Sequence, residues 1–186
     1  MKRIILAAVV SSLSLSTAMA GDNDSAKWSQ VGPWHIFVDS TVGNGCFMVS
    51  SYGSGTVLRV GFNNRNNTAY LMVGNEAWKS LEAGKQYQIS GQFDNGTAYN
   101  WTANGARLGD MTVLSVPFGT PSPTEVMQTF GQRLNLKLYY RGNMLASMNL
   151  NGTAAAAAET INCNRQFNTK ADPFGNGTRP DPFTGA

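Results

Sequence analysis

The stretch Gly53-Ser54-Gly55-Thr56-Val57-Leu58-Arg59-Val60-Gly61-Phe62-Asn63-Asn64-Arg65-Asn66-Asn67-Thr68-Ala69-Tyr70-Leu71-Met72-Val73 decides the fold. It contains two short runs rich in β-branched and aromatic residues, each preceded by a cluster of glycine or asparagine. Val, Phe and Tyr suit a pleated, half-buried surface. Gly and Asn accept left-handed backbone and therefore punctuate strands. The link between the runs, Asn63 to Asn67, is too short for a parallel crossover. The two runs must pair antiparallel.

The same rhythm continues in both directions. On the N-terminal side, Trp34 to Val38 alternates, with Trp34, Ile36 and Val38 on one face, and Cys46 to Tyr52 follows after the turn region Asp39 to Gly45. On the C-terminal side, Gln86 to Phe93 and Thr97 to Ala103 flank Asp94-Asn95-Gly96, a strong hairpin signal. Met111 to Phe118 is β-rich. Leu136 to Arg141 and Met144 to Leu150 make a last hairpin around Arg141-Gly142-Asn143. The expected fold is mainly β: an antiparallel meander forming a sandwich or open barrel, or α+β if its two late helices are counted.

The first of those helices begins at Ser122, with Pro123 in the first helical position and Glu125 placed for a capping box. Val126, Met127, Phe130 and Leu134 form its apolar stripe. The second runs from Ala154 to Cys163, can be capped by Thr153, and is built on alanine, the strongest helix former.

Residues 1–20 read as a secretory signal. Lys2 and Arg3 give the charged start, Ile4 to Leu15 the short apolar core, and Ala18-Met19-Ala20 the small-residue cleavage site. The core falls short of the ~20 residues that span a bilayer. Residues 21–32 read as a loose lead-in, 33–166 as one β-rich domain and 167–186 as a disordered tail in which Asp172-Pro173-Phe174 recurs as Asp181-Pro182-Phe183. The full chain carries 14 basic and 11 acidic residues, net +3. Without Lys2 and Arg3 it carries 12 against 11, net +1. A nearly neutral domain gives no electrostatic case for nucleic acid or an anionic membrane. The expected location is periplasmic or secreted.

In an exported chain two cysteines, Cys46 and Cys163, favour one intramolecular disulfide. Two free buried thiols or an intermolecular bond are the alternatives. Their spacing is not that of a CxxC redox pair.

Catalytic chemistry has little to work with. His35 is the only histidine, and Asp39, four positions along a strand, would not meet it. No cofactor or metal site is expected: zinc needs three or four converging ligands, and a disulfide would consume both cysteines. The acids Asp39, Glu76, Glu82, Asp94, Asp110, Glu125 and Glu159 are scattered. Glu76 and Glu82 flank Trp78, an arrangement that could hold a sugar and, if the carboxylates converged, hydrolyse it. Exposed aromatics can anchor a binding surface, which makes Trp78, Glu76 and Trp101 the binding candidates beside Trp28 and Tyr99. A shared pocket of Trp78, Glu76 and His35 would be the clearest sign of a site. Asn66, Asn95, Asn100, Asn151 and Asn176 each open an Asn-x-Thr triplet and are read here as turn residues.

Gly45-Cys46-Phe47-Met48, Trp78-Lys79-Ser80-Leu81 and Met148-Asn149-Leu150-Asn151-Gly152-Thr153-Ala154-Ala155, ending at Cys163, resemble small exported proteins of alphaproteobacteria. The Leu-x-Gly-[Ser/Thr]-x-Ala ending before the terminal Cys also resembles the invasion associated locus B family. That resemblance implies an exported, non-enzymatic protein with a role in host-cell entry, and it carries no site residue with it. Together these readings lead to an exported, non-catalytic protein that binds an envelope protein, a glycan or a host component. A cell-wall or sugar hydrolase using Glu76 and Glu82 is the alternative.

Overall fold

The computed structural model describes residues 24–168. The expected signal segment and the Asp-Pro-Phe repeats lie outside them. The described chain is mainly β, with ten antiparallel strands in a single sheet and two helices late in the sequence. The strands are β1 Ser25–Val31, β2 Trp34–Asp39, β3 Gly45–Ser51, β4 Thr56–Asn63, β5 Thr68–Asn75, β6 Gln86–Phe93, β7 Ala98–Leu108, β8 Met111–Phe118, β9 Asn135–Tyr140 and β10 Asn143–Asn149. The helices are α1 Pro123–Gly131 and α2 Thr153–Asn168.

Strand order is β1-β2-β3-β4-β5-β8-β7-β6-β9-β10. The first five strands are neighbours in chain order, as their short turns require. The chain then passes over two positions, returns through β6, β7 and β8 to pair with β5, and crosses by way of α1 to β9 on the far side of β6.

One face of each strand is apolar, and pairing aligns those faces. Ile36, Met48, Val60, Leu71 and Val116 lie side by side across β2, β3, β4, β5 and β8, and all are buried. The main core also takes Leu136, Leu138 and Met148 from β9 and β10, with Met127 and Phe130 from α1 and Ile161 from α2. In a flat sheet β3 and β10 would stand seven strand spacings apart, roughly 34 Å. Instead the Tyr52 hydroxyl at the end of β3 donates to the Asn149 carbonyl at 3.1 Å, and Trp34 Nε1 donates to the Asn151 carbonyl at 3.2 Å. The sheet has therefore curled almost fully round its core without closing: an open, sandwich-like barrel.

The Cys46–Cys163 disulfide is formed, with Cα atoms 6.0 Å apart and 117 residues between them in sequence. It ties α2 to β3. The two helices also pack closely on each other through small residues: a Cβ on Gly131 of α1 would lie 3.0 Å from that of Ala157 in α2.

Three local expectations change. Residues 25–31 are not loose lead-in but the edge strand β1, held to α2 where Trp28 Nε1 donates to Glu159 Oε1 at 2.7 Å. Leu134 does not belong to the α1 stripe, because the helix ends at Gly131 and Leu134 is 61% exposed. Asn100 is not a turn residue but sits within β7. The α1 capping box forms as its sequence predicts, with Glu125 N–H donating to Ser122 Oγ and Ser122 N–H to Glu125 Oε2.

Candidate functional site

The residues singled out by sequence do not gather in one place. Trp78 lies in the β5–β6 connection, where its backbone N–H donates to the Asn75 carbonyl at 2.9 Å and its half-buried ring packs on the core. His35 is on β2 with its side chain on the opposite face of the sheet, one position from buried Ile36. The pocket of Trp78, Glu76 and His35 is therefore not formed. Glu76 is exposed, and Glu82 pairs on the surface with Lys85 at 2.8 Å. That partner raises the Lys85 ammonium above its ordinary value.

Trp101 points inward. Its ring meets Phe93 and Phe118 edge-on at 6.0 and 5.7 Å and covers Gly91, where an added Cβ would fall 2.1 Å from the indole. It is a wedge in the core. Tyr99, on the same face, is 52% exposed. Among the described residues no three His, Cys, Asp or Glu side chains converge.

The outward face of the sheet is of two kinds. Across β2 to β5 it buries a polar cluster that sequence reasoning did not find. Arg59 donates through a terminal nitrogen to Asp39 and through Nε to the Tyr70 hydroxyl at 2.8 Å. Its guanidinium lies 3.5 Å from the centre of the Phe47 ring, which in turn stacks on Phe37 at 5.4 Å. Phe47 has room because Gly61 is its cross-strand partner; a Cβ there would sit 2.4 Å from Phe47 Cβ. Burial pushes the Asp39 carboxyl up. Hydrogen bonds from Thr41 and Arg59, with the Arg59 charge, outweigh it and hold the group below its ordinary value. Burial pushes the Tyr70 hydroxyl up to about 12, against the opposing pull of Arg59.

Across β6 and β7 the outward face is exposed, uncharged and ordered. Gln88 Nε2 donates to Thr102 Oγ1 at 3.1 Å, Ser90 Oγ to Asn100 Oδ1 at 3.1 Å, and Gln92 Nε2 to the Gly96 carbonyl at 2.8 Å. Tyr139 of β9 is the next residue across from Ser90. Alternation along Gln86-Tyr87-Gln88-Ile89-Ser90 predicts a wet face here, but pairing is what aligns Gln88 with Thr102 and Ser90 with Asn100.

The surface also carries concavities, two of which lie beside α1. A groove of about 470 Å³ runs between α1 and α2 over Gly131, Ala154 and Ala158. A smaller pocket of about 170 Å³ lies between the Asn-rich β4–β5 turn and the start of α1.

No protein-family model, curated protein or solved structure matches this chain.

Proposed function

We propose that this is an exported, non-catalytic protein of the periplasm or cell exterior that works by binding an envelope or host component. The observation that carries the reading is the solvent-facing row of Gln88, Asn100 and Thr102 with half-buried Ser90. Paired side chains of this kind are already ordered, so little rotamer freedom remains to be lost on contact. Each also keeps unused donors or acceptors, since an amide or hydroxyl can make more bonds than these. The opposite half of the same face spends its polar groups internally, on Arg59, Asp39 and Tyr70. The disulfide is compatible with an oxidising compartment.

Co-sedimentation with isolated cell-wall sacculi, beside capture on immobilised envelope protein, tests the reading. Retention should fall about tenfold in the combined variant Gln88→Ala, Asn100→Ala, Thr102→Ala, the sum of a few modest hydrogen bonds. The melting temperature should stay within a few degrees, as exposed substitutions usually allow. Failure of both fractions to retain the wild type, or equal retention of the variant, defeats the proposal. Hydrolysis through Glu76 or Glu82 is the alternative proposal; turnover of cell-wall glycan that Glu76→Gln with Glu82→Gln abolishes would replace binding with catalysis.

A further inference from the structure

The geometry points to a second, more specific contact: the pocket beside the disulfide holds one neutral sugar residue. This inference rests on the binding role proposed above and names a ligand class for a site separate from the β6–β7 face. At about 170 Å³ the pocket falls below the ~300 Å³ at which drug-sized sites begin, which limits it to a single ring.

Its lining selects the chemistry. Asn63, Asn64, Asn67, Thr68 and Thr124 surround it, and no lining residue carries a formal charge. The Glu125 carboxylate already takes the N–H and hydroxyl of Ser122 at the pocket edge, so the start of α1 has its anion. A ligand anion would meet that carboxylate.

The decisive residue is Asn164, which lines the pocket and is 5% exposed. Its Oδ1 accepts from the Cys46 backbone N–H at 3.2 Å and from Asn64 Nδ2 at 3.0 Å. The backbone donor fixes which end of the amide is oxygen. Asn164 Nδ2 takes part in neither of these bonds, and with Asn164 in the pocket wall it is the end of the amide left to donate to a guest. Asn63 Oδ1 is likewise engaged, by the Arg65 N–H, which leaves that amide's nitrogen to donate. Asn64 has spent its nitrogen on Asn164 and the Asn44 carbonyl, and keeps its oxygen to accept. These three asparagines line the same small space and keep donors and an acceptor in reserve between them. A hydroxyl both donates and accepts and matches this set, as does an acetamido group. A carboxylate accepts only, an ammonium donates only, and a phosphate brings the negative charge that the Glu125 carboxylate opposes.

An NMR titration of the full chain with N-acetylglucosamine, and separately with inorganic phosphate, tests this. The side-chain amide signals of Asn63, Asn64, Asn67 and Asn164 should move with the sugar, with a dissociation constant on the order of millimolar for so small a ligand, and not with phosphate. Thr124→Val and Asn67→Gly, the latter retaining the left-handed backbone of that turn, should each weaken the effect several-fold. The combined β6–β7 variant should leave it unchanged. Absent pocket shifts, or equal shifts with phosphate, overturn the inference. If sacculi still retain the protein in that case, the pocket alone has failed; if they do not, the binding role falls with it.

Discussion

At the residue scale, the Arg59 cluster has the most measurable consequences. Side chains of Arg59 and Asp39 are 3% and 9% exposed, so neither charge can fall back on solvent. Removing one member of such a buried pair costs about 3–5 kcal/mol, because the survivor is left uncompensated. Asp39→Asn should show that loss at pH 7 by urea unfolding. The pH dependence has a fixed sign. The Asp39 carboxyl sits below its ordinary 3.8 in the folded state, so falling pH protonates the unfolded chain first. Its contribution is complete above 3.8 and drains away as pH falls through the folded value. Wild type should thus lose stability more steeply than Asp39→Asn on acidification below about pH 4. Parallel acid profiles for the two proteins would show that Asp39 is not the group responsible. This cluster was illegible in the sequence. Residues 39, 59 and 70 share neither a period nor a motif, and only the successive pairing of four strands, β2 to β5, brings them onto one face.

At the scale of elements, legibility followed the turns. The β4–β5 and β9–β10 hairpins could be read because their links contain residues that take left-handed backbone, Asn67 in one and Arg141-Gly142 in the other. In the β6–β7 link the left-handed residue is Asp94 rather than the Asn-Gly pair. The Asp94 side chain accepts the N–H groups of Leu134 and Asn135, tying that turn to β9. Strand β1 escaped because a bulge between Lys27 and Ser29 breaks its alternation and only part of it is covered. Its attachment is correspondingly local. Glu159 accepts from Trp28 Nε1 and from Ser29 Oγ, and Phe167 meets the Trp28 ring edge-on at 5.9 Å. Glu159→Ala should therefore raise amide exchange in Ser25–Val31 by roughly tenfold, the worth of one charge-assisted hydrogen bond. The β3–β5 amides should be unaffected, since local opening does not require the core. Uniform acceleration across the sheet would mean that β1 is part of the global unit.

At the scale of the whole molecule, sequence reasoning reached the composition of the sheet but not its order. Strand β6 could have paired with β5, its neighbour in the chain. The ten-residue connection Glu76 to Lys85 instead carries it past two positions, and no local pattern encodes that choice. Curling is a property of the same non-local kind: Tyr52 and Asn149 are 97 residues apart, Trp34 and Asn151 117. The disulfide has an identical span of 117 and constrains the unfolded chain over nearly the whole domain. On the chain-entropy account, closing a loop of that length stabilises by about 4–5 kcal/mol, a large share of a domain's net stability. Cys46→Ser with Cys163→Ser should thus lower the melting temperature by roughly 10–20 °C. Because the constraint acts on the unfolded state, the core contacts themselves survive in the folded variant. Its near-ultraviolet circular dichroism, to which the packed rings of Trp34 and Trp101 contribute, should match wild type at low temperature. A collapsed near-ultraviolet signal there would mean instead that the bond holds α2 in place. A melting temperature unchanged by the substitutions would mean that the unfolded chain is already compact over this span.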